Sequence, residues 1–310
     1  MAELVPFALK DAPALIEAVF PAQKISFEAQ RERSAGGAQT LPVLGAYWKG
    51  RKPLILVRAI VLGCLLPQTD DLDKDLDLYE KLMGIDNEGL ARRALAQNSV
   101  KAKEITSLIS LENPWHYFEH NLDRKSPIFS QLEAAYFPLT SEIRDRIIIR
   151  WKRDLSAIDK LQIYRKLVES LPSYEEKASL AKRPEEVDQS WLYEPVWESV
   201  ERHLSKWGVS ASTHGELVEQ LGTLRYGRIP EIGDTFAGAG SIPFEAARLG
   251  CNVSASDINP IACMLSWGAK HIIGADLHKQ ESIAQNQEEI TERIRDRISA
   301  LNIEKNSSGH

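Results

Sequence analysis

Cysteine is scarce in this chain. The three present, Cys64, Cys251 and Cys263, are scattered and form no C-x-x-C pair, which leaves no plausible four-ligand zinc site and argues against a disulfide framework. Long apolar runs are missing as well. The greasiest stretch, Leu54 to Leu66, is interrupted by Arg58 and falls short of the roughly 18 to 20 residues needed to cross a bilayer. No basic-then-apolar leader opens the sequence. These absences predict a soluble protein of the reducing cytoplasm with no membrane partner. There is no excess of positive charge either: the formal net charge is −6, which excludes a chain that coats nucleic acid along its whole length.

Charge is nevertheless unevenly spread. Lys24, Arg31, Arg33, Lys49, Arg51, Lys52 and Arg58 face only Glu28 and Glu32 in the same stretch, whereas acid dominates from Asp70 to Asp77 and again after Glu281. A DNA-facing patch would belong to the N-terminal cluster, with Arg31, Arg33, Trp48, Lys49, Arg51 and Lys52 as its candidates. Solvated helix charges account for the same residues equally well.

An apolar content of 43% over 310 residues supports one large or two ordinary domains. From Ala14 to Gln30, Leu15, Ile16, Val19, Phe20, Ile25 and Phe27 recur at mostly helical intervals, with Pro21 interrupting the first helix. Gly36-Gly37 and an aromatic-basic turn, Tyr47 to Pro53, precede Leu54 to Leu66, which reads as a buried helix ended by Pro67. Asp70 to Arg183 has apolar residues at three- and four-residue spacing, such as Leu72, Leu76, Tyr79, Leu82 and Met83, and is predicted to be mainly helical. Trp191, Tyr193 and Trp197 flank a Glu194-Pro195 turn. Packing explains such rings, and stacking on bases is the sharper alternative. Beyond residue 275, Ile283, Ile290, Ile294, Ile298 and Leu301 mark a polar amphipathic helix that leads to a frayed end at Asn306 to His310.

The segment that carries chemistry begins at Arg228. Apolar Ile229, Ile232 and Phe236 run into the turn Phe236-Ala237-Gly238-Ala239-Gly240. With no Cβ, Gly238 and Gly240 can take torsions closed to other residues and leave bare amides at a helix N-terminus. Ser241 is the expected N-cap, Pro243 is tolerated in the first turn, and Gly250 stands where a left-handed C-cap is wanted. A second strand, Asn252 to Ser256, delivers Asp257 at a carboxyl end, where open parallel sheets place ligands. Asp257 follows Gly238 by 19 positions, and a spacing of roughly 20 suits a carboxylate that accepts hydrogen bonds from both hydroxyls of a ribose. A dinucleotide site would share that acid, but Pro243 occupies the place of its third glycine, so a nucleoside cofactor without a pyrophosphate is favoured. S-adenosylmethionine is the common one. An ordinary strand-to-helix turn explains the two glycines alone; Asp257, Asp234 and Asn259-Pro260 shift the balance to a cofactor.

The run from Gly233 to Gly250, followed by Ala255 to Met264, resembles a family of adenine-specific DNA methylases that carries an N-terminal domain of unknown function. A second likeness lies upstream, where Leu15-Ile16-Glu17, Arg31-Glu32 and Trp48 to Pro53 stand in the places of that domain's aliphatic helix, Arg-Glu pair and aromatic-basic-proline turn. The resemblance spans the chain, strongest at Pro13 to Gln68 and His214 to Ala275. It implies an α/β protein in which a helix-rich N-terminal region is followed by the first strands of a Rossmann-like class I methyltransferase sheet. The divisions it implies are 1–68 as an N-terminal methylase-associated domain, 69–212 as a helical region, 213–275 as the start of the cofactor domain, and 276–310 as an amphipathic helix and end. Cofactor contacts would come from Asp234, Phe236, Ala237, Gly238, Gly240, Asp257, Ile258 and Asn259, with Asp234 near the methionine amino group and Asp257 on the ribose. Trp48, Lys49 and Arg51 would close over the cofactor, or Trp48 would pack in the core.

Two features of that family are missing. No Asp/Asn-Pro-Pro-aromatic motif, which holds the target amine and stacks on the flipped base, occurs anywhere. Asn113-Pro114-Trp115 and Asn259-Pro260-Ile261 read as turns. The family's zinc ribbon is absent too. The expectation is therefore the N-terminal, cofactor-binding part of a DNA amino-methyltransferase, with no catalytic residue of its own and with DNA and a separate C-terminal part as partners. An RNA amino-methyltransferase and a truncated, non-catalytic cofactor- or DNA-binding protein are the alternatives.

Overall fold

The computed structural model describes residues 3–35 and 51–300, apart from 113, 124, 127, 128, 130, 131, 133–137 and 275. Trp48 and Lys49, the Gly36-Gly37 pair, Asn113 and the end after residue 300 lie outside the described residues. The chain is rich in helix with a few short strands.

Helices α1 (Leu15–Ala18), α2 (Ala22–Ser34), α3 (Leu54–Leu65) and α4 (Leu72–Met83) open the chain, and α5 (Asn87–Gln97) and α6 (Ala102–Leu108) follow. Then come β1 (Phe118–His120), α7 (Ser141–Arg144), β2 (Ile149–Trp151), α8 (Ala157–Ser170) and α9 (Tyr174–Ser179). Next are α10 (Gln189–Tyr193), α11 (Val196–Leu204) and α12 (His214–Tyr226). The last elements are β3 (Glu231–Asp234), α13 (Ser241–Arg248), β4 (Asn252–Ala255), α14 (Pro260–Gly268) and α15 (Leu277–Ala300).

Pro21 separates α1 from α2, and α3 stops before Pro67. Most side chains of α3 are buried, Arg58 included, and only the side that carries Ile60 and Cys64 is open, so its lack of polar interruption is the signature of a helix covered over most of its surface. Between residues 70 and 183 the chain is mainly helical but also holds one element that its periodicity hides. The antiparallel pair β1–β2 aligns Phe118 with Trp151 and His120 with Ile149. Three residues per strand are too few for alternation to stand out against helical spacing.

Hydrophobic burial falls into two large clusters. One joins Leu9, Leu15 and Ile25 to α3 and α4, to Tyr193 and Val200, to Leu217, Leu221 and Leu224 of α12, and to Ala246, Leu249 and Cys251 around α13. N-terminal helices and the glycine-loop segment thus share one core. The second gathers α5, α6, the β1–β2 pair and α8. The tryptophan-rich segment serves packing: Arg92 lies over the Trp191 ring at 5.0 Å, and Tyr193 and Trp197 both meet His214 edge-on. No described helix is long and apolar enough to cross a membrane.

Two elements lead directly into the site. Thr213 accepts a hydrogen bond from the Glu216 amide to start α12, and Gly227 ends it at φ 67°, where a Cβ would run into the ring of Phe7. The chain then turns through Pro230 into β3, which pairs in parallel with β4 from Glu231↔Asn252 to Asp234↔Ala255.

Candidate functional site

β3, the glycine loop, α13 and β4 form one unit of strand, turn, helix and parallel strand, and the candidate residues collect at the carboxyl ends of the two strands. Gly238 and Gly240 both take left-handed torsions, φ 54° and 80°. At Gly240 the demand is also steric, since a Cβ there would stand 2.9 Å from the Ser266 Cα on α14. Gly250 closes α13 with φ 93°.

Three details differ from the reading of the sequence. The loop amides are not bare: Phe236 N–H donates to Asp234 Oδ1 at 3.0 Å, Ala237 N–H to the Ser256 carbonyl at 3.1 Å, Gly238 N–H to Asp257 Oδ2 at 2.9 Å, and Gly240 N–H to the Ala237 carbonyl at 2.8 Å. The turn from β3 into α13 runs beside the end of β4, which brings acceptors within reach of these four amides. Ser241 is not the N-cap but the first residue of α13; the cap is Gly240, which has no side chain to offer the helix. Phe236 does not belong to the strand. It sits in the turn and is 86% exposed.

Asp257 is the hinge of the arrangement. One of its oxygens accepts from Gly238 and the other from the Asn259 amide, each at 2.9 Å. The amides of Asn259 and Gly238 hold its carboxyl below the ordinary carboxylate value, because hydrogen bonds to the charged form favour it. Each oxygen keeps lone pairs for further donors. Asn259 accepts from the Ile261 amide and so caps α14, which makes Asn259-Pro260 a helix start.

An anionic acceptor, Asp257, stands beside Ile258, which is 98% exposed, and Ala237, Gly238 and Gly240 of the loop are buried. Further apolar side chains, Ile261, Met264 and Trp267, are exposed on α14. A cleft of about 710 Å³ lies elsewhere, between α3, α12 and the start of β3, lined by Phe7, Ile60, Cys64, Tyr226 and Ile232 among others.

The basic candidates separate. Arg31 is turned inward, donating to Glu28 at 3.0 Å and to the Ala181 carbonyl. Lys24, in the same charge cluster, pairs with Glu80 at 2.6 Å. Arg51 is partly buried; desolvation lowers its guanidinium and the charge of Glu32 opposes that shift. Arg33 and Lys52 are exposed. Asp71 and Asp77 of the acidic run are paired locally, with Lys74 and Lys81, whereas Asp75 is met by Thr69 and by the distant His203. Sequence reasoning did not find the acid that Arg58 requires. A cation inside an apolar helix signals such a partner, but nothing in the chain says which one it is.

Residues 19–82 match a family model described as a protein of unknown function (DUF1156). No curated protein matches the chain. No solved structure matches it either.

Proposed function

We propose that residues 231–262 bind S-adenosylmethionine and that the chain is the N-terminal, cofactor-binding part of a DNA methyltransferase acting on an exocyclic amino group, most simply that of adenine. The observation that carries this reading is the Asp257 carboxylate, held at the carboxyl end of β4 by the amide of Gly238 in the loop after β3. A parallel strand–loop–helix–strand unit with an acid at that place supports reading it as the opening of a Rossmann-like sheet. When bound, the cofactor supplies an electrophilic methyl group on a sulfonium. Asp257 would accept from the ribose hydroxyls, Ile258 would lie against the adenine, and Asp234 with the loop of Phe236, Ala237, Gly238 and Gly240 would border the methionine part. Asn259 shapes the turn below. The three free thiols accord with a cytoplasmic location.

The sequence holds no Asp/Asn-Pro-Pro-aromatic run to grip a target amine, so transfer to DNA is assigned to a partner part of the enzyme. Calorimetry with S-adenosylmethionine and with its demethylated product tests the reading. Weak binding by the wild-type chain and none by Asp257→Ala is the expected result. Equal binding by both would remove Asp257 from the site, and methyl incorporation into DNA by this chain alone would overturn the assignment of catalysis to a partner.

A further inference from the structure

Arg58 lies in the middle of α3 and is 5% exposed, in a helix otherwise made of apolar residues and one glycine and one cysteine. A guanidinium taken out of water there needs an anion. The anion comes from α13, 187 positions later: Arg58 Nε donates to Glu245 Oε1 at 2.9 Å, and Glu245 is 1% exposed. Arg58 Nη1 also donates to the buried Tyr193 hydroxyl at 3.0 Å, and the second oxygen of Glu245 accepts from Arg248 at 2.9 Å. One turn before Arg58, Leu54 buries itself with Phe244 of α13 and Ala269 beyond α14. Apolar and ionic contacts on one face of α3 therefore grip consecutive residues of the helix whose N-cap is Gly240.

α3 is itself fixed from below. Its N-cap, Pro53, offers no side-chain acceptor, and the buried Glu32 of α2 takes the role, accepting from the Leu54 and Ile55 amides at 2.9 and 3.2 Å. A chain of contacts thus runs from α2 through α3 to α13 and ends at the glycine loop. It lies within or starts from residues 19–82 at every step but the last.

We propose that the segment 19–82 is a brace for the glycine loop, and that Arg58 is a positioning residue that sets α13, and with it Gly238 and Gly240, against Asp257. An ion pair is directional where apolar packing is not, so it can fix the rotation and height of an eight-residue helix that hydrophobic contacts alone would let slide. The consequence for cofactor binding rests on the function proposed above; the ordering of the loop does not.

The experiment compares wild type with Arg58→Lys, Arg58→Met and the double variant Arg58→Met/Glu245→Leu. Removing one partner leaves a buried charge and can unfold the chain, whereas replacing both with apolar groups tends to preserve stability. Hydrogen exchange is followed over the peptide containing residues 235–241 and over α8 as a reference, with thermal unfolding alongside. In the double variant, exchange in the loop is expected to rise roughly tenfold while α8 stays as in wild type, because only the local constraint is lost. Arg58→Lys, which can reach Glu245 but not Tyr193 as well, should restore most of the protection. Loop exchange at the wild-type rate in a folded double variant would overturn the proposal, and so would an equal rise in loop and reference. Calorimetry with S-adenosylmethionine on the same proteins keeps the two ideas apart: no binding by wild type removes the cofactor, while the exchange result still decides the brace.

Discussion

The Asp257 carboxylate accepts the Gly238 amide at 2.9 Å, joining the end of one parallel strand to the loop that follows the other. An isolated pair of four-residue strands is a weak scaffold, and this contact, with the second one from Asn259, is what keeps the acid aimed across the loop.

Both contacts favour the ionised acid, so Asp257 should titrate below the ordinary value of 3.8. A depressed folded value means that the loop is fully stabilised above the ordinary carboxylate range and loses that stabilisation as pH falls through the lowered value. Carbon-detected NMR on the carboxyl group checks this, with the Gly238 amide shift expected to follow the same midpoint. A midpoint at or above 3.8 would be inconsistent with the contact.

Glu32→Ala should destabilise the fold by about 1 to 3 kcal/mol, since two amides at the start of the buried α3 would lose their acceptor. Glu32→Gln, which keeps one carbonyl oxygen, should recover part of the loss. Denaturant unfolding measures both, and a fully stable Glu32→Ala would show that water replaces the cap.

His214 is partly buried, donates from Nε2 to the Leu82 carbonyl at 2.9 Å, and has its pKa lowered to about 3, first by desolvation and then by the charge of Arg58. Unfolded, it would take up a proton near 6.5. The unfolded state therefore binds the extra proton across the interval between these values, so the contribution of His214 is complete above about pH 6.5 and drains away toward pH 3. Wild-type stability should fall there with a slope approaching about 1.4 kcal/mol per pH unit from this residue. His214→Phe should flatten the curve; an unchanged slope would mean that His214 is not held neutral.

Any affinity for DNA should be weak and salt-dependent, and should draw on the exposed Lys52, not on Lys24 or Arg31, whose charges are met by Glu80 and Glu28. In titrations at several salt concentrations, Lys52→Ala should reduce the slope of log affinity by about 0.9 if it contacts one phosphate. Arg31→Ala should leave that slope alone and lower the melting temperature. The reverse pattern would place Arg31 on the outside.

The elements around the candidate site were legible in the sequence because their causes are local. Glycine torsions at 238, 240 and 250, proline stops at 21 and 67, and the acid after a short strand each act on residues close by in the chain. That local grammar is also why Leu54 to Leu66 could be read as a buried helix, which the structure ends at Leu65. What tertiary structure decided is where polar groups find partners. Four loop amides that looked available are taken by Asp234, Ala237, Ser256 and Asp257. Arg31, which looked like surface charge, faces Glu28 and a carbonyl on α9's flank, and Arg58 meets an acid 187 residues away. Backbone preference is encoded in neighbouring residues, whereas the partner of a buried charge depends on which surfaces the whole chain brings together, and no spacing along the sequence records that.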